Sequence, residues 1–156
     1  MRATGINHVS ISATDLEEST RFYEDLFGME RIATPLFGTR VQWLRVGDMQ
    51  LHLFLDETGS APSRHHLGLT IDDFDAAYEA IRTRTDAEWG AEIVELPSGQ
   101  VQLYFRDPAG NLIELNWPDV STIDRSRYPE LRVLSEHIPQ TPESVQATLY
   151  LDRSLV

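Results

Sequence analysis

The sequence predicts an α+β protein made of two copies of a strand–helix–strands unit followed by a helical tail. Two observations carry this expectation: one stretch is written twice, and within each copy the hydrophobic period changes from two to 3.6 and back to two. His66-Leu67-Gly68-Leu69-Thr70-Ile71-Asp72-Asp73-Phe74 repeats His8-Val9-Ser10-Ile11-Ser12-Ala13-Thr14-Asp15-Leu16. A single helix among several strands in each copy points to a helix covering one face of a mixed or antiparallel sheet. At 156 residues the chain has room for one good core or two small fused modules.

In chain order, residues 6–13 read as a strand. Residues 15–27 read as a helix, with Leu16, Phe22, Tyr23, Leu26 and Phe27 on its apolar side. Thr14 with Glu17 suggests a capping box at its start, and Gly28 a stop. Two strands, 41–46 and 49–55, flank Gly47-Asp48, a two-residue hairpin loop that sets Trp43 directly opposite His52. Residues 58–63 read as a linker. The second copy opens with a strand at 66–71 and a helix whose stripe is Phe74, Ala77, Tyr78 and Ile81. Its last two strands, 101–106 and 111–117, enclose Asp107-Pro108-Ala109-Gly110, a type I turn with glycine in the left-handed position, so that Asp107 meets Asn111 and Tyr104 meets Glu114. The expected modules are therefore 1–57 and 64–117, within one structural domain. Residues 118–156 form an extension with short helices at 128–138 and 141–151, the second opened by Thr-Pro-Glu.

Composition narrows the partners. Lys and Arg number 13 against 25 Asp and Glu, a net charge of −12 that repels phosphate backbones and anionic headgroups, so neither nucleic acid nor membrane is expected. There is no cysteine, which excludes a disulfide framework, a thiolate nucleophile and Cys-ligated metal, and leaves His and carboxylates as ligands. The N-terminus lacks the apolar run of a signal peptide, so a cytoplasmic protein is expected.

Strand parity singles out the polar residues. In 49–55 the core parity is Leu51, Leu53 and Leu55, and His52 points away. In 66–71 His66 lies opposite Leu67, Leu69 and Ile71; in the last strand Glu114 lies opposite Ile113, Leu115 and Trp117; His8 lies opposite Val9, Ile11 and Ala13. Taken singly, each such residue would be a solvated surface group. Taken together they fall at equivalent places in the two copies, His8 with His66 and His52 with Glu114. Two copies packed with pseudo-twofold symmetry would bring three imidazoles and a carboxylate to one cleft, a donor set suited to Fe(II), Zn, Ni, Co or Mn. His65, of opposite parity, reads as a strand-entry residue, and His137 as a helix-end cation.

Asn7-His8-Val9, Phe22-Tyr23 with Leu26-Phe27-Gly28-Met29, His66 before Leu-Gly-Leu-Thr-Ile-Asp, and Asp107-Pro108-Ala109-Gly110-Asn111 leading to Glu114 occur in an order that resembles the vicinal oxygen chelate superfamily. Its members include glyoxalase I, extradiol dioxygenases, methylmalonyl-CoA epimerase and the fosfomycin and bleomycin resistance proteins. The resemblance spans roughly residues 5–117. It implies βαβββ modules paired into a cup-shaped mixed sheet with helices on the outer face. It also implies a divalent metal held by His8, His66 and Glu114, with His52 as a further candidate ligand. His52 stands where glyoxalase I commonly has a metal-binding glutamate that serves as base. In extradiol dioxygenases the corresponding strand position resembles His52 itself, and a tyrosine precedes the last ligand as Tyr104 does.

The expected function is thus a metal-dependent enzyme acting on a small molecule through adjacent oxygens. Ring-cleaving dioxygenase chemistry on Fe(II) stands slightly ahead of glyoxalase-type lyase chemistry on Zn, Ni, Co or Mn. His52 and Tyr104 are the catalytic candidates, and Trp43 and Phe54 line the substrate pocket. The competing reading is a metal-free, drug-sequestering protein whose cleft holds an aromatic ligand against Trp43, Phe54 and Tyr104. A homodimer is expected, because half-open sheets leave edges that a partner would cover.

Overall fold

Asp15, not Thr14, caps the first helix. Its carboxylate accepts hydrogen bonds from the amides of Glu17 and Glu18, each at 2.9 Å, which corrects the expected capping box. A carboxylate in that position satisfies two orphan amides and also meets the positive end of the helix dipole. The structure, a computed structural model, describes residues 5–36, 38–58 and 64–150. Residues 59–63 of the expected linker at 58–63, and residue 151 at the end of the last expected helix, lie outside the described residues.

The element order is the one the repeat implies: β1 (His8–Ala13), α1 (Leu16–Phe27), β2 (Glu30–Ile32), β3 (Val41–Val46) and β4 (Met49–Leu55), then β5 (His66–Thr70), α2 (Phe74–Thr83), β6 (Glu88–Glu95), β7 (Val101–Arg106) and β8 (Leu112–Trp117). Strand, helix and three strands thus occur twice. The first sheet runs β1-β4-β3-β2 and is mixed, with β1 parallel to β4 and the other pairs antiparallel. The Gly47-Asp48 loop sets the expected register: Val46 pairs with Met49, and Trp43 with His52. α1 stops at Gly28, which adopts φ 61°, a left-handed conformation that glycine takes at no steric cost.

The chain divides into two compact units that do not coincide with the two copies. One comprises Met1–Leu67, Arg84–Glu88 and Arg106–Leu112; the other Gly68–Thr83, Trp89–Phe105 and Ile113–Val156. The first unit buries Phe22 and Tyr23 of α1 with Leu44, Leu51 and Leu53 of the sheet. It also includes the tip of the β7–β8 hairpin, where Asn111 Nδ2 donates to the Ser12 carbonyl (2.8 Å) and the Tyr23 hydroxyl to Asp107 Oδ2 (2.7 Å). The turn is as expected: Gly110 has φ 81°, and the Asp107 amide donates to the Asn111 carbonyl.

The second unit buries Phe74, Tyr78 and Ile81 of α2 against Ile93, Leu103, Phe105, Ile113 and Leu115. β6 approaches β7 closely at Gly90, where a Cβ would stand 2.8 Å from the Tyr104 carbonyl oxygen. The extension corrects the expected helical tail. After 3-10 turns at Val120–Thr122 and Arg125–Arg127 it forms a strand, β9 (Leu131–Val133), parallel to β6, then one helical turn, α3 (Leu134–His137), and a 3-10 turn at Ser144–Gln146 in place of the expected second helix. The second sheet accordingly runs β5-β8-β7-β6-β9. Tyr128 explains the difference. Its ring sits edge-on to Phe74 and Tyr78, with centroids 5.1 and 4.8 Å away, and Pro129 follows it, removing a backbone donor that a helix would use.

Candidate functional site

In the first unit, β1 and β3 flank β4 and aim three aromatic side chains at one place. His52 stacks between His8 and Trp43, with ring centroids 4.3 Å from each and interplanar angles of 14° and 4°. The two registers cause this. Trp43 is directly across from His52, and His8 pairs with Gln50, one turn of the pleat away on the same face. His8, Trp43, His52 and Phe54 line a cavity of about 490 Å³. A second cavity, of about 420 Å³, shares Ser10 and Phe54 with it and is lined by His65 and His66.

Each imidazole has one nitrogen committed. Nδ1 of His8 lies 2.6 Å from Asn7 Oδ1, and Nδ1 of His66 lies 3.1 Å from the Arg64 carbonyl oxygen. Oxygens of this kind only accept, so Nδ1 carries a proton in both rings, and in the neutral form of each ring the lone pair is on Nε2. His52 has the opposite arrangement: its Nε2 donates to Gln50 Oε1 at 2.9 Å, which leaves the lone pair on Nδ1. His52 is only 6% exposed; burial, together with the neighbouring His8, holds its pKa below the usual imidazole value. It is a neutral base.

In the second unit Tyr104 of β7 donates its hydroxyl proton to Glu114 Oε2. Glu114 is 4% exposed although its strand parity points away from the core. Burial, and then the bond to Glu114, push the Tyr104 phenol well above its usual pKa. Gly68 faces the carboxylate from β5: a Cβ there would be 3.8 Å from Glu114 Oε1 and 3.4 Å from Asn116 Nδ2.

Among the described residues no three His, Asp or Glu side chains stand gathered to hold an ion. What is visible is the preparation of each donor. Two imidazoles with Nε2 lone pairs and a carboxylate oriented by a phenol suit a divalent ion of borderline softness, each ligand having an outer partner that fixes its direction. The sequence reading set Tyr104 beside Glu114 but missed the partners of His8 and His52. Asn7 and Gln50 are polar residues beside, or two along from, a histidine on the same strand, and this proximity was the available signal. Tyr104, the other catalytic candidate, donates its proton to Glu114.

These features belong together in one family. The chain is a member of the Glyoxalase/Bleomycin resistance protein/Dioxygenase superfamily, whose pattern matches residues 5–115. It is 25% identical over 127 residues to human mitochondrial methylmalonyl-CoA epimerase, covering 70% of this chain and 72% of that one. A lactoylglutathione lyase from Agrobacterium tumefaciens superposes with a TM-score of 0.55 at 25% identity, over 74% of this chain and 95% of that one. The fosfomycin resistance protein FosX of Listeria monocytogenes, as a point mutant complexed with Mn(II) and dihydroxypropylphosphonic acid, shares the fold at a TM-score of 0.66 and 17% identity, over 77% and 96% of the two chains. None of the three is a dioxygenase. No helix among the described residues is long and apolar enough to cross a membrane.

Proposed function

We propose that the chain is a metal-dependent enzyme that moves a proton at a carbon next to two adjacent oxygens of a small molecule, working as a homodimer. In this reading His8 and His66 through Nε2, with Glu114, hold a divalent ion. When bound, the ion supplies positive charge to the paired substrate oxygens and so acidifies the neighbouring C–H. His52 takes that proton at Nδ1. Its partner Gln50 fixes the tautomer, and its burial keeps it unprotonated, so the base is ready near neutral pH. Trp43 and His8 hold the ring from both sides, and Phe54 supplies an apolar wall that limits water. Tyr104 keeps the Glu114 carboxylate turned for binding.

The observation that carries this reading is His52: a neutral, aligned base stacked directly on His8. The similarity to an epimerase and a lyase favours proton transfer over ring cleavage, and the Tyr104 hydroxyl donates to Glu114. The test loads the protein with Mn(II), Fe(II), Co(II), Ni(II) or Zn(II) and follows exchange of substrate C–H for deuterium in D₂O. The substrates are methylmalonyl-CoA and the hemithioacetal of methylglyoxal and glutathione, with catechol and O₂ in parallel. Metal-dependent exchange that H52Q abolishes, while metal binding persists, supports the proposal. Ring cleavage of catechol without exchange overturns it in favour of a dioxygenase. Tight ligand binding that survives both H66A and E114A overturns it in favour of a metal-free binding protein.

A further inference from the structure

The match to the superfamily ends at residue 115, yet the chain beyond it returns to the sheet. Gln100, 7% exposed, uses both ends of its amide on this segment: Nε2 donates to Thr148 Oγ1 (2.6 Å), and Oε1 accepts from the Leu149 amide (3.0 Å). Thr148 Oγ1 in turn accepts from the Tyr150 amide (3.1 Å). One buried side chain thus holds Thr148 and Leu149 directly and Tyr150 through Thr148.

The clamp delivers the Tyr150 ring to β5 and β8. Its hydroxyl oxygen is buried and makes no hydrogen bond of normal geometry among the described residues, and the same holds for Asn116 Oδ1. Such groups are uncommon in native proteins and mark a place where a partner is missing. Burial raises the Tyr150 pKa, the Thr70 hydroxyl opposes this, and the charge of Glu114 adds to it, which locates the phenol near both. Thr70 shares a face of β5 with Gly68, and Gly68 keeps open the space before Glu114 Oε1 and Asn116 Nδ2. A phenol contacted by the Thr70 side chain, and an amide oxygen that makes no hydrogen bond among the described residues, thus lie near the carboxylate in the second unit.

We infer that Tyr150 and Asn116 form a substrate subsite beside Glu114, in which the phenol donates to, and the amide oxygen accepts from, a hydroxyl group of the substrate. Gln100 is a positioning residue that acts through Tyr150. The substrate class is then a molecule with adjacent oxygens of which one carries a proton, such as a hydroxy acid, a hydroxy ketone or a hydroxamate. This rests on the reading in which Glu114 holds the ion.

Calorimetric titration with Mn(II) alone, and then of the Mn(II)-loaded protein with acetohydroxamate, tests it. In Y150F the Mn(II) affinity stays within about twofold of wild type while acetohydroxamate binds roughly tenfold more weakly, the loss expected for one hydrogen bond. Q100A has the same effect and also speeds hydrogen exchange of the Leu149 amide; the Y150F/Q100A double variant binds acetohydroxamate no more weakly than Y150F. Unchanged acetohydroxamate affinity in Y150F overturns the inference. So does an equal loss of Mn(II) affinity in Y150F, which would make Tyr150 a support for Glu114 only. Failure of the wild type to bind Mn(II) overturns the metal reading and this inference with it. It is distinguishable because it appears before any substitution is made.

Discussion

Asp107 offers the sharpest test of how the hairpin is held. The carboxylate is 3% exposed and accepts four hydrogen bonds: the Asn111 amide (2.8 Å) and Ala109 amide (3.0 Å) at Oδ1, and the Tyr23 hydroxyl (2.7 Å) and Asn111 Nδ2 (2.8 Å) at Oδ2. D107A removes all four bonds and orphans the Tyr23 hydroxyl and the two amides, while Asn111 Nδ2 keeps its bond to the Ser12 carbonyl. Bonds to a charged group are worth about 1.5–3 kcal/mol each, but the variant also relieves the desolvation of the carboxylate and admits water to the two turn amides, so a net loss of about 3 kcal/mol is expected. For a chain of this size that is a fall in Tm of about 6–12 °C. Y23F removes one donor and should cost about 1–2 kcal/mol. In the double variant the losses should fall short of additive, because each substitution removes the same bond. Burial raises the Asp107 pKa above its ordinary 3.8 despite these donors. A raised carboxyl pKa means that its contribution is complete below the unfolded value and is lost as pH rises through the folded value. The gap between wild type and D107A, measured by urea denaturation, should therefore narrow as pH rises from about 4 toward neutrality. A loss under about 1 kcal/mol in D107A, or strict additivity with Y23F, would refute this account.

Three further outcomes follow from the geometry. If His66 and Glu114 are ligands, as proposed, H66A and E114A should each weaken Mn(II) binding by more than about a hundredfold, read by calorimetry, since the loss of a ligand exceeds the loss of a ligand's partner. Y104F removes the orienting bond to the buried Glu114 and should weaken Mn(II) about tenfold, at a cost in stability of about 1–2 kcal/mol like that of Y23F. G90A forces a methyl group against the Tyr104 carbonyl and should destabilise the protein by about 1–3 kcal/mol in urea, and the shift of β7 should carry Tyr104 away from Glu114 and weaken Mn(II) as well.

Much of this was legible in the sequence, for identifiable reasons. The repeat around His8 and His66, the helix stop at Gly28 and the loops at Gly47-Asp48 and Asp107-Gly110 are local signals, and each fixed a register that the structure repeats, including Trp43 across from His52 and Tyr104 beside Glu114. The cap at Asp15 was misread because Thr14 and Asp15 are adjacent candidates, and only backbone direction decides between them. The extension was misread because its fate is tertiary: Tyr128 is drawn into the α2 packing and residues 131–133 add to a sheet edge, neither of which local periodicity encodes. Tyr150 was invisible for the same reason, since Gln100, 49 positions away from Leu149 in sequence, fixes its place.

The three-residue strand β9 has a consequence for how this chain can diversify. By lying along the last three residues of β6, Ile93 to Glu95, it covers that end of the strand's backbone, and it presents to solvent a short border bearing the exposed Arg132, a form of rim that discourages pairing with other molecules. The segment that ends in Tyr150 is thus also a guard against fibre growth. A lineage acquiring a new substrate cannot simply discard it; it must remodel the last few residues while keeping Leu131–Val133 in place, so evolutionary change should concentrate after the guard strand and spare the strand itself.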